Sequence, residues 1–568
     1  MIIDADRVEP GTRITADVCV IGAGAAGITL ALELGRSGIT TVLLTGGQKR
    51  ERPHDRELYR GVAEPSSPHE PLEEGRRRAF GGTTIAWGGG CIPFDPIDFQ
   101  KRPWISAGGW PVTYADLLPH YRRAMDLCQA GAFSFDAAET FSPDRAPMIH
   151  GFDGPEVITS SLVRFSLPTN FAKQYAAELS GTKCLRVLVG GHAVRIQIKD
   201  NGKSVECIRA AARPGREFLV NTHLYVLAAG GLENPRLLLS SNDVHSSGIG
   251  NLTGLVGRYY MSHLKGENLK VSITDRGSPF RYGLERDRSG VYCQRRLLVT
   301  ALGQTQREMG NAMATPHRPP IEDPSHQDPL FSASYLAKQY RHAWRNRDVN
   351  SFPASLRANA DLRREHWRVI SKVTPGSALT MLQVFGARFL TKRHLPMILP
   401  RQSGNEHYLR YLAEHAPNRD SRVFLCAERD AFGLPRLTAR PGFSEVDYTT
   451  VVELHRAIAE RLDNTQTGRL AFDEAEVRGQ VDAQITHFNS GAHHLGTTRM
   501  SATPGGGVVD ANCKVHDVDD LFIAGGSVFV TSGCANPTLT IVAFAVRLAA
   551  HLRQRLTQQA VMVTSSPH

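Results

Sequence analysis

Three glycines near the N-terminus have the spacing of a phosphate-binding turn. Gly22, Gly24 and Gly27 stand between an apolar run, residues 16–21, and a segment whose apolar residues recur at helical spacing. In such a turn the first glycine permits a tight bend, the second admits a pyrophosphate, and the third lets helix and strand pack closely. The N-terminus of the following helix favours negative charge. The motif therefore predicts a bound dinucleotide.

One usual feature of a dinucleotide-binding unit is absent. An Asp or Glu commonly ends the second strand, where its carboxylate holds the ribose hydroxyls. The strand at 41–44 is followed instead by Thr45 and two glycines. A threonine hydroxyl can bond to a ribose, although without charge assistance, so Thr45 is the predicted ribose contact.

Two adjacent histidines, His493 and His494, are the candidates for proton transfer. Imidazole has an unperturbed pKa of about 6.5, so it exchanges a proton near neutral pH. Two other roles are open for such a pair, a hydrogen-bonded loop core and metal ligation. No third ligand follows at a recognisable spacing, so we expect no metal site.

Three stretches have the alternating pattern of an α/β fold, and they lie near residues 14–60, 185–260 and 480–553. Each contains a short β-rich run that ends at a glycine cluster, and these runs are residues 16–21, 224–229 and 520–524. The third stretch closes with a strong helix from about 537 to 553. The stretch near residues 303–370 is rich in Arg, His, Pro and Asn, and we expect it to contain a mobile or insertion-like segment.

Composition limits the classes of function. At 568 residues the chain predicts two large lobes, and its 41% apolar content is that of an ordinary globular protein. The net charge is +10, yet the dense basic clusters, 76–78 and 341–347, are not part of a repeat in which aromatic residues are interleaved with basic ones. We interpret them as solvated surface and expect no nucleic-acid partner.

The same features bear on location. No apolar run reaches the roughly 18 residues that a membrane-spanning helix needs, and the N-terminus has no basic stretch followed by an apolar one. Nine scattered cysteines form no Cys-x-x-Cys pair, which is typical of a reducing compartment. The sequence therefore predicts a cytoplasmic protein without a membrane span.

Further motifs are dispersed along the chain. Phe80-Gly81-Gly82-Thr83-Thr84-Ile85-Ala86-Trp87-Gly88-Gly89 leads into Asp98-Phe99, Trp104 and Gly109-Trp110-Pro111. His493-His494-Leu495-Gly496-Thr497-Thr498-Arg499-Met500 is followed by Val509-Asp510-Ala511-Asn512 and by Asn536-Pro537-Thr538-Leu539-Thr540. In this order the motifs resemble those of the glucose-methanol-choline (GMC) oxidoreductases, most closely the branch with pyranose oxidases, fructose and gluconate dehydrogenases and the alcohol oxidases of aminoglycoside biosynthesis. The middle third of the chain carries no matching motif.

The resemblance implies an α/β fold with a Rossmann-like FAD-binding domain assembled from discontinuous segments. An α+β substrate domain would cover the flavin with a sheet. The predicted FAD-binding segments are 1–120, 185–264 and 481–556, the substrate segments are 121–184 and 265–480, and residues 557–568 form a flexible tail.

The resemblance also implies which residues bind FAD. They are Gly22, Gly24, Ala25, Gly27, Thr45, Gly81, Gly82, Thr83, Thr84, Ala86, Trp87, Gly88, Val194, Ala229, Gly230, Gly526, Pro537 and Thr538. In pyranose oxidases a histidine just before the tryptophan of this loop carries the flavin covalently. Ala86 occupies that place and has no nucleophile, so we expect non-covalent FAD.

The catalytic pair implied by the resemblance is His493 and Asn536. The histidine of the family's His-x-x-Gly-Thr motif is the base, and the asparagine amide would hold the substrate oxygen as it gains negative charge. Asn536 followed by Pro537 is also a good helix start, with Asn as N-cap. The side chain cannot easily do both.

The predicted reaction is oxidation of a primary or secondary alcohol of a sugar, glycoside or amino sugar, with hydride transfer to flavin N5. Oxygen, a quinone or another acceptor would re-oxidise the flavin. Two alternatives keep the fold, a hydroxynitrile-lyase-like enzyme with structural FAD and a non-catalytic binding protein. A flavoprotein that also uses a nicotinamide would need a second glycine motif or a redox Cys-x-x-Cys, and the sequence has neither.

Overall fold

The structure is a computed structural model that describes residues 1–62, 69–142, 147–167, 169–274, 280–317, 321–345, 360–399, 405–489 and 491–565. Among these residues, no helix combines the length and apolarity needed to cross a bilayer.

The first sheet is built around the glycine turn. Within the described chain its strands are, in spatial order, Ile2–Asp4, Leu185–Val189, Thr41–Thr45, Arg13–Ile21, Arg216–Leu227, Val205–Arg213 and His192–Ile198, and Leu521–Ile523 also pairs with Arg216–Leu227. Pairing is parallel except between the last three strands of the series. Every residue of Thr41–Thr45 is buried, as expected for a parallel strand covered on both faces.

The second sheet is antiparallel and lies beside the first. Its strands in the described chain are, in order, Gly468–Arg469, His263–Ile273, Glu406–Glu414, Ala312–Pro316, Tyr292–Val299, Val157–Phe165 and Gly90–Cys91, with Glu285–Arg286 paired to Tyr292–Val299. Two further strands, Arg422–Arg429 and Pro435–Arg440, form a separate hairpin. The predicted α/β class with a Rossmann-like sheet and a second, substrate-domain sheet is confirmed.

Helices cover both sheets. They are Ala25–Arg36, Pro53–Glu57, Tyr114–Cys128, Ala137–Thr140, Phe171–Gln174, Ala176–Gly181, Glu233–Ser240, Ala301–Gln306, Pro329–Arg345, Ala360–Ser371, Pro375–Phe385, Glu445–Thr465, Glu474–Thr486 and Thr538–Ser565. Ala25–Arg36 and Tyr114–Cys128 pack against Thr538–Ser565 in the core of the first lobe. Glu445–Thr465 buries Val451, Leu454 and Ile458 in the core of the second.

One prediction about a chain segment is wrong in part, and a strand was not predicted. Residues 312–316, in the stretch expected to contain a mobile or insertion-like segment, form a strand within the second sheet. This short buried run, Ala-Met-Ala-Thr-Pro, lacks the alternation that marks a half-exposed strand. Residues 318–320 and 346–359 of that stretch lie outside the described residues. The last helix continues to Ser565, beyond the predicted end near residue 553 and into the predicted flexible tail.

Candidate active site

The site is a cavity of about 860 Å³ at the carboxyl ends of the parallel strands. This edge of an open α/β sheet is where ligands bind, because the loops that follow the strands converge there. Most of the predicted FAD-binding residues line it: Gly22, Gly24, Ala25, Thr45, Gly82, Thr83, Thr84, Ala86, Trp87, Gly88, Val194, Ala229, Gly230, Gly526, Pro537 and Thr538.

The glycine turn has the geometry that its spacing predicts. Gly22 has a φ of 108°, and a Cβ there would lie 2.4 Å from the Ala228 carbonyl oxygen. A Cβ at Gly27 would lie 1.8 Å from the Gly22 carbonyl oxygen, so Gly27 serves helix packing and does not line the cavity. Gly24 precedes the helix Ala25–Arg36, whose N-terminus faces the cavity.

The loop at 80–89 lies against this turn. The Gly81 amide donates to the Ala23 carbonyl at 2.9 Å, and a Cβ at Gly82 would lie 2.9 Å from the Gly24 Cα. Gly81 itself does not line the cavity, in contrast to the residues that follow it. The Trp87 indole donates to the Thr169 carbonyl at 3.0 Å and is thereby fixed at the cavity wall.

The end of the cavity beside Thr45 is more basic than the sequence predicts. The Thr45 hydroxyl accepts a hydrogen bond from the Gly47 amide at 3.4 Å. Arg78 lies next to it and donates through Nη2 to His192 Nδ1 at 3.0 Å. Burial, assisted by the Arg78 charge, lowers the pKa of His192 to about 2, so this imidazole is neutral and accepts.

Arg76 and Arg78 are cavity residues, and their interpretation as solvated surface is wrong. The Arg76 side chain donates to Glu233 Oε1 at 2.9 Å and to the Leu72 and Tyr59 carbonyls at 2.6 and 2.8 Å. Burial alone would raise the pKa of Glu233, but Arg236, Arg76 and Arg78 hold it below its usual value. Arg236 also donates to Asp430, at 2.7 Å, in the turn of the separate hairpin.

His493 reaches the cavity from a loop tied to the second sheet. Leu495 and Met261 exchange backbone hydrogen bonds at 3.0 Å, which anchors the loop beside the start of the strand His263–Ile273. Gly496 has a φ of 81°, and a Cβ there would lie 2.1 Å from the Tyr259 carbonyl oxygen. The glycine of the His-x-x-Gly motif is therefore required for this approach.

A second histidine, His263, contacts the first. The two Nδ1 atoms are 2.9 Å apart, and the rings are nearly perpendicular. Burial lowers the pKa of both, that of His493 to about 4 with a contribution from Lys265 and Arg410. Neutral rings in this contact share one hydrogen, so one Nδ1 donates and the other accepts.

The second nitrogen of each ring decides what this contact can do. His263 Nε2 is buried and has no hydrogen-bond partner among the described residues. When His263 Nδ1 accepts from His493 Nδ1, the Nε2 of His493 keeps a free lone pair, the form that a base requires.

His494 is held in a different network. Its Nδ1 lies 2.9 Å from the Tyr260 hydroxyl, which lies 2.7 Å from His69 Nε2. Burial lowers the pKa of His494 well below its usual value. Its Nε2 is buried at the cavity wall and has no hydrogen-bond partner among the described residues.

Asn536 is half-buried beside the strand Gly90–Cys91, and it is not among the residues that line the cavity. A Cβ at Gly90 would lie 2.8 Å from Asn536 Nδ2. The following helix begins at Thr538, and within the described chain no recorded hydrogen bond joins the Asn536 side chain to that helix. The geometry thus gives no support to the N-cap alternative.

Comparisons with known proteins agree with this geometry. The family model described as GMC oxidoreductase matches residues 417–545. The chain is 26% identical to 6'''-hydroxyparomomycin C oxidase of Streptomyces lividus over 96% of this chain and 94% of that protein. It is 43% identical to C-glycoside 3-oxidase of Arthrobacter globiformis over 27% of this chain and 28% of that protein.

The chain is therefore similar to GMC oxidoreductases, through the model match over residues 417–545 and through relatives that align along nearly its whole length. The fold agrees with this similarity. The crystal structure of pyridoxine 4-oxidase from Mesorbium loti superposes with a TM-score of 0.53 at 17% identity, covering 94% of this chain and 99% of that one. FAD-dependent oxidation of alcohols, acting on CH–OH donors, is the activity that these similarities support.

The residues that line the cavity fit FAD. A Cβ at Gly24, Gly88 or Gly230 would have no atom within 4 Å, so the backbone at these cavity residues is open to a close approach. The helix N-terminus at Ala25 suits the pyrophosphate. The unpartnered His494 Nε2 is a buried polar atom of the kind that a ligand satisfies.

The sequence alone did not identify several cavity residues. Arg76, Arg78, His192 and Glu233 come from separate segments and carry no motif of their own. For Arg76 and Arg78 the only signal was their position just before the loop at 80–89. Neither its residue type nor its position in the sequence marked His263 as a site residue, because its contact with His493 spans 230 residues.

Proposed function

We propose that this protein oxidises a hydroxyl of a sugar or glycoside, with His493 as the base and Asn536 as its partner. The observation that carries the proposal is the neutral His493 imidazole at the wall of the glycine-lined cavity, with Nδ1 engaged by His263. The names of two relatives, an oxidase of hydroxyparomomycin C and a C-glycoside 3-oxidase, support a carbohydrate substrate.

The proposed mechanism begins with proton transfer. His493 Nε2 accepts the hydroxyl proton, and its low pKa keeps the imidazole unprotonated before substrate binds. The Asn536 amide donates to the substrate oxygen and stabilises its developing negative charge. FAD, when bound, supplies the acceptor for the hydride that leaves the carbon bearing this hydroxyl. The product is a carbonyl compound, and oxygen, a quinone or another acceptor completes the cycle.

The cations nearest His493 disfavour a positively charged carbohydrate. Lys265 and Arg410 are close enough to lower the pKa of His493, and Lys265 Nζ donates to Asn489 Oδ1 at 2.8 Å in the same wall. Cations at this position repel a protonated amino group on a substrate. We therefore propose a neutral sugar or glycoside in preference to a polycationic amino sugar.

An anaerobic bleaching screen tests the substrate proposal. The holoenzyme is mixed with neutral sugars, neutral glycosides, an aminoglycoside and a small diol, and loss of flavin absorbance is followed. We expect neutral sugars or glycosides to bleach the flavin fastest, and admission of air then tests oxygen as acceptor. Bleaching by the diol alone, or fastest by the aminoglycoside, would overturn the proposed substrate class, and no bleaching at all would favour a structural FAD.

We also propose that FAD is held without a covalent bond. Ala86 precedes Trp87 in the cavity wall and offers no nucleophile. Acid precipitation of the holoenzyme is expected to leave the yellow colour in the supernatant. A yellow pellet that persists after washing would contradict this and would point to another nucleophile of the wall, such as His192, His493, His494 or Tyr59.

A further inference from the structure

The helix Pro375–Phe385 exposes an unusual amount of apolar surface. It continues directly into a π-helical turn, Gly386–Leu390. Four large apolar side chains along the two elements are exposed, Leu379 by 57%, Leu382 by 69%, Phe385 by 55% and Leu390 by 78%. None of the residues of these elements whose side chains are described is buried. Exposed apolar surface of this kind marks an interaction site.

The elements around this helix do not cover it. Its main contact with another element in the described chain is with the π-helical turn that continues it. Further on, Arg393 Nη1 donates to the Gln129 and Phe165 carbonyls at 3.3 and 3.1 Å and ties the chain back to the body of the protein. The helix is therefore anchored at its C-terminal side and leaves its apolar residues facing solvent.

The charges that flank the helix are mainly positive, and the nearest acid before it, Glu365, pairs with Arg368 at 2.6 Å. From residue 366 to residue 405 the sequence contains no Asp or Glu. The basic residues in that stretch are Arg368, Lys372, Arg388, Lys392, Arg393 and Arg401. Arg368, Lys372 and Lys392 are exposed, and Trp367 is exposed by 52% beside them on the preceding helix.

We propose that residues 367–392 dock on an anionic lipid surface, with the apolar helix lying in the interface. An apolar helix bordered by lysine, arginine and tryptophan binds such a surface through buried apolar area and attraction to anionic headgroups. A second copy of this chain fits less well. In a twofold dimer the same patch faces itself, so the excess positive charge of one copy would face that of the other.

Vesicle co-sedimentation of the holoenzyme tests the proposal. We expect binding to phosphatidylcholine vesicles that contain phosphatidylglycerol, weak binding to phosphatidylcholine alone, and release at about 0.5 M salt. The double variant Leu379→Asp, Leu382→Asp should lower binding by more than about tenfold, because both substitutions remove apolar area from the interface. Its flavin content and its rate of flavin reduction should be unchanged.

Leu302→Asp is the matched control, since Leu302 is exposed by 48% on a different helix, and it should bind as the unmodified protein does. Equal binding to both vesicle types, or equal loss in the control, would overturn the proposal. A dimer in sedimentation velocity that Leu379→Asp, Leu382→Asp dissociates, without vesicle binding, would also overturn it and assign the patch to a second copy.

Discussion

Replacing His493 with alanine is expected to slow reduction of the bound flavin by substrate about 10²–10⁴-fold, the contribution of a positioned general base. The FAD content should change little, whereas the melting temperature should fall modestly, because the buried His263 ring loses its contact with His493 Nδ1. Stopped-flow reduction under anaerobic conditions measures the effect without interference from the re-oxidation step.

His494→Ala is the comparison for this variant. His494 lines the same cavity, but its Nδ1 is engaged with Tyr260, and we expect its loss to slow reduction far less than the loss of His493. The reverse order of the two effects would assign the base to His494 and contradict the proposed role of His493.

The pH dependence of reduction follows from the same imidazole. A base acts in its deprotonated form, which predominates above its pKa, so activity is lost as pH falls through that value. Because the pKa of His493 is about 4, kcat/KM for reduction should be level near neutrality and fall below about pH 5. Lys265→Met removes one of the charges that lower this pKa and should move the fall to higher pH. A fall centred above pH 6.5 in the unmodified enzyme would contradict the account.

Asn536→Ala is expected to slow flavin reduction about 10²–10³-fold, which is the cost of removing one donor to a developing oxyanion. Asn536→Asp should be at least as slow, because a carboxylate repels the negative charge on the substrate oxygen. Both rates are measured by anaerobic stopped flow, with melting temperatures recorded in parallel.

The aspartate variant separates the two roles open to Asn536. Asp is as good an N-cap as Asn, whereas Ala in a capping position costs about 1 kcal/mol. If Asn536 only capped the helix Thr538–Ser565, the Asp variant would keep the rate and the Ala variant would lose stability. That pattern would remove Asn536 from the catalytic machinery.

The parts of the site that depend on local backbone geometry were predictable from the sequence. The turn at Gly22 and the packing of Gly27 follow from steric rules that apply to neighbouring residues, so spacing alone indicated them. Gly496 is a similar case. Its positive φ and its close approach to the Tyr259 carbonyl oxygen both require a glycine at this one position. The parallel sheet was predictable for a similar reason, because buried parallel strands are continuous apolar runs.

The parts that depend on distant segments were not predictable. Arg76 and Arg78 formed a basic cluster in the sequence, and only the fold brings Glu233 and His192 to them. His263 stands at the start of a strand of the second sheet and meets His493 because Met261 and Leu495, both in the core of the first lobe, pair with each other. The strand at 312–316 was not predicted, because a short apolar run lacks the alternation of apolar and polar residues by which a strand is recognised.

The central claim is that His493 takes the proton of the alcohol. A crystal structure of the FAD-bound enzyme with a slowly oxidised substrate analogue tests it most directly. The account predicts His493 Nε2 within about 2.6–3.2 Å of the reacting hydroxyl oxygen, with Nδ1 still bonded to His263. A hydroxyl oxygen bonded to another side chain, with the His493 ring directed away from it, would contradict the claim.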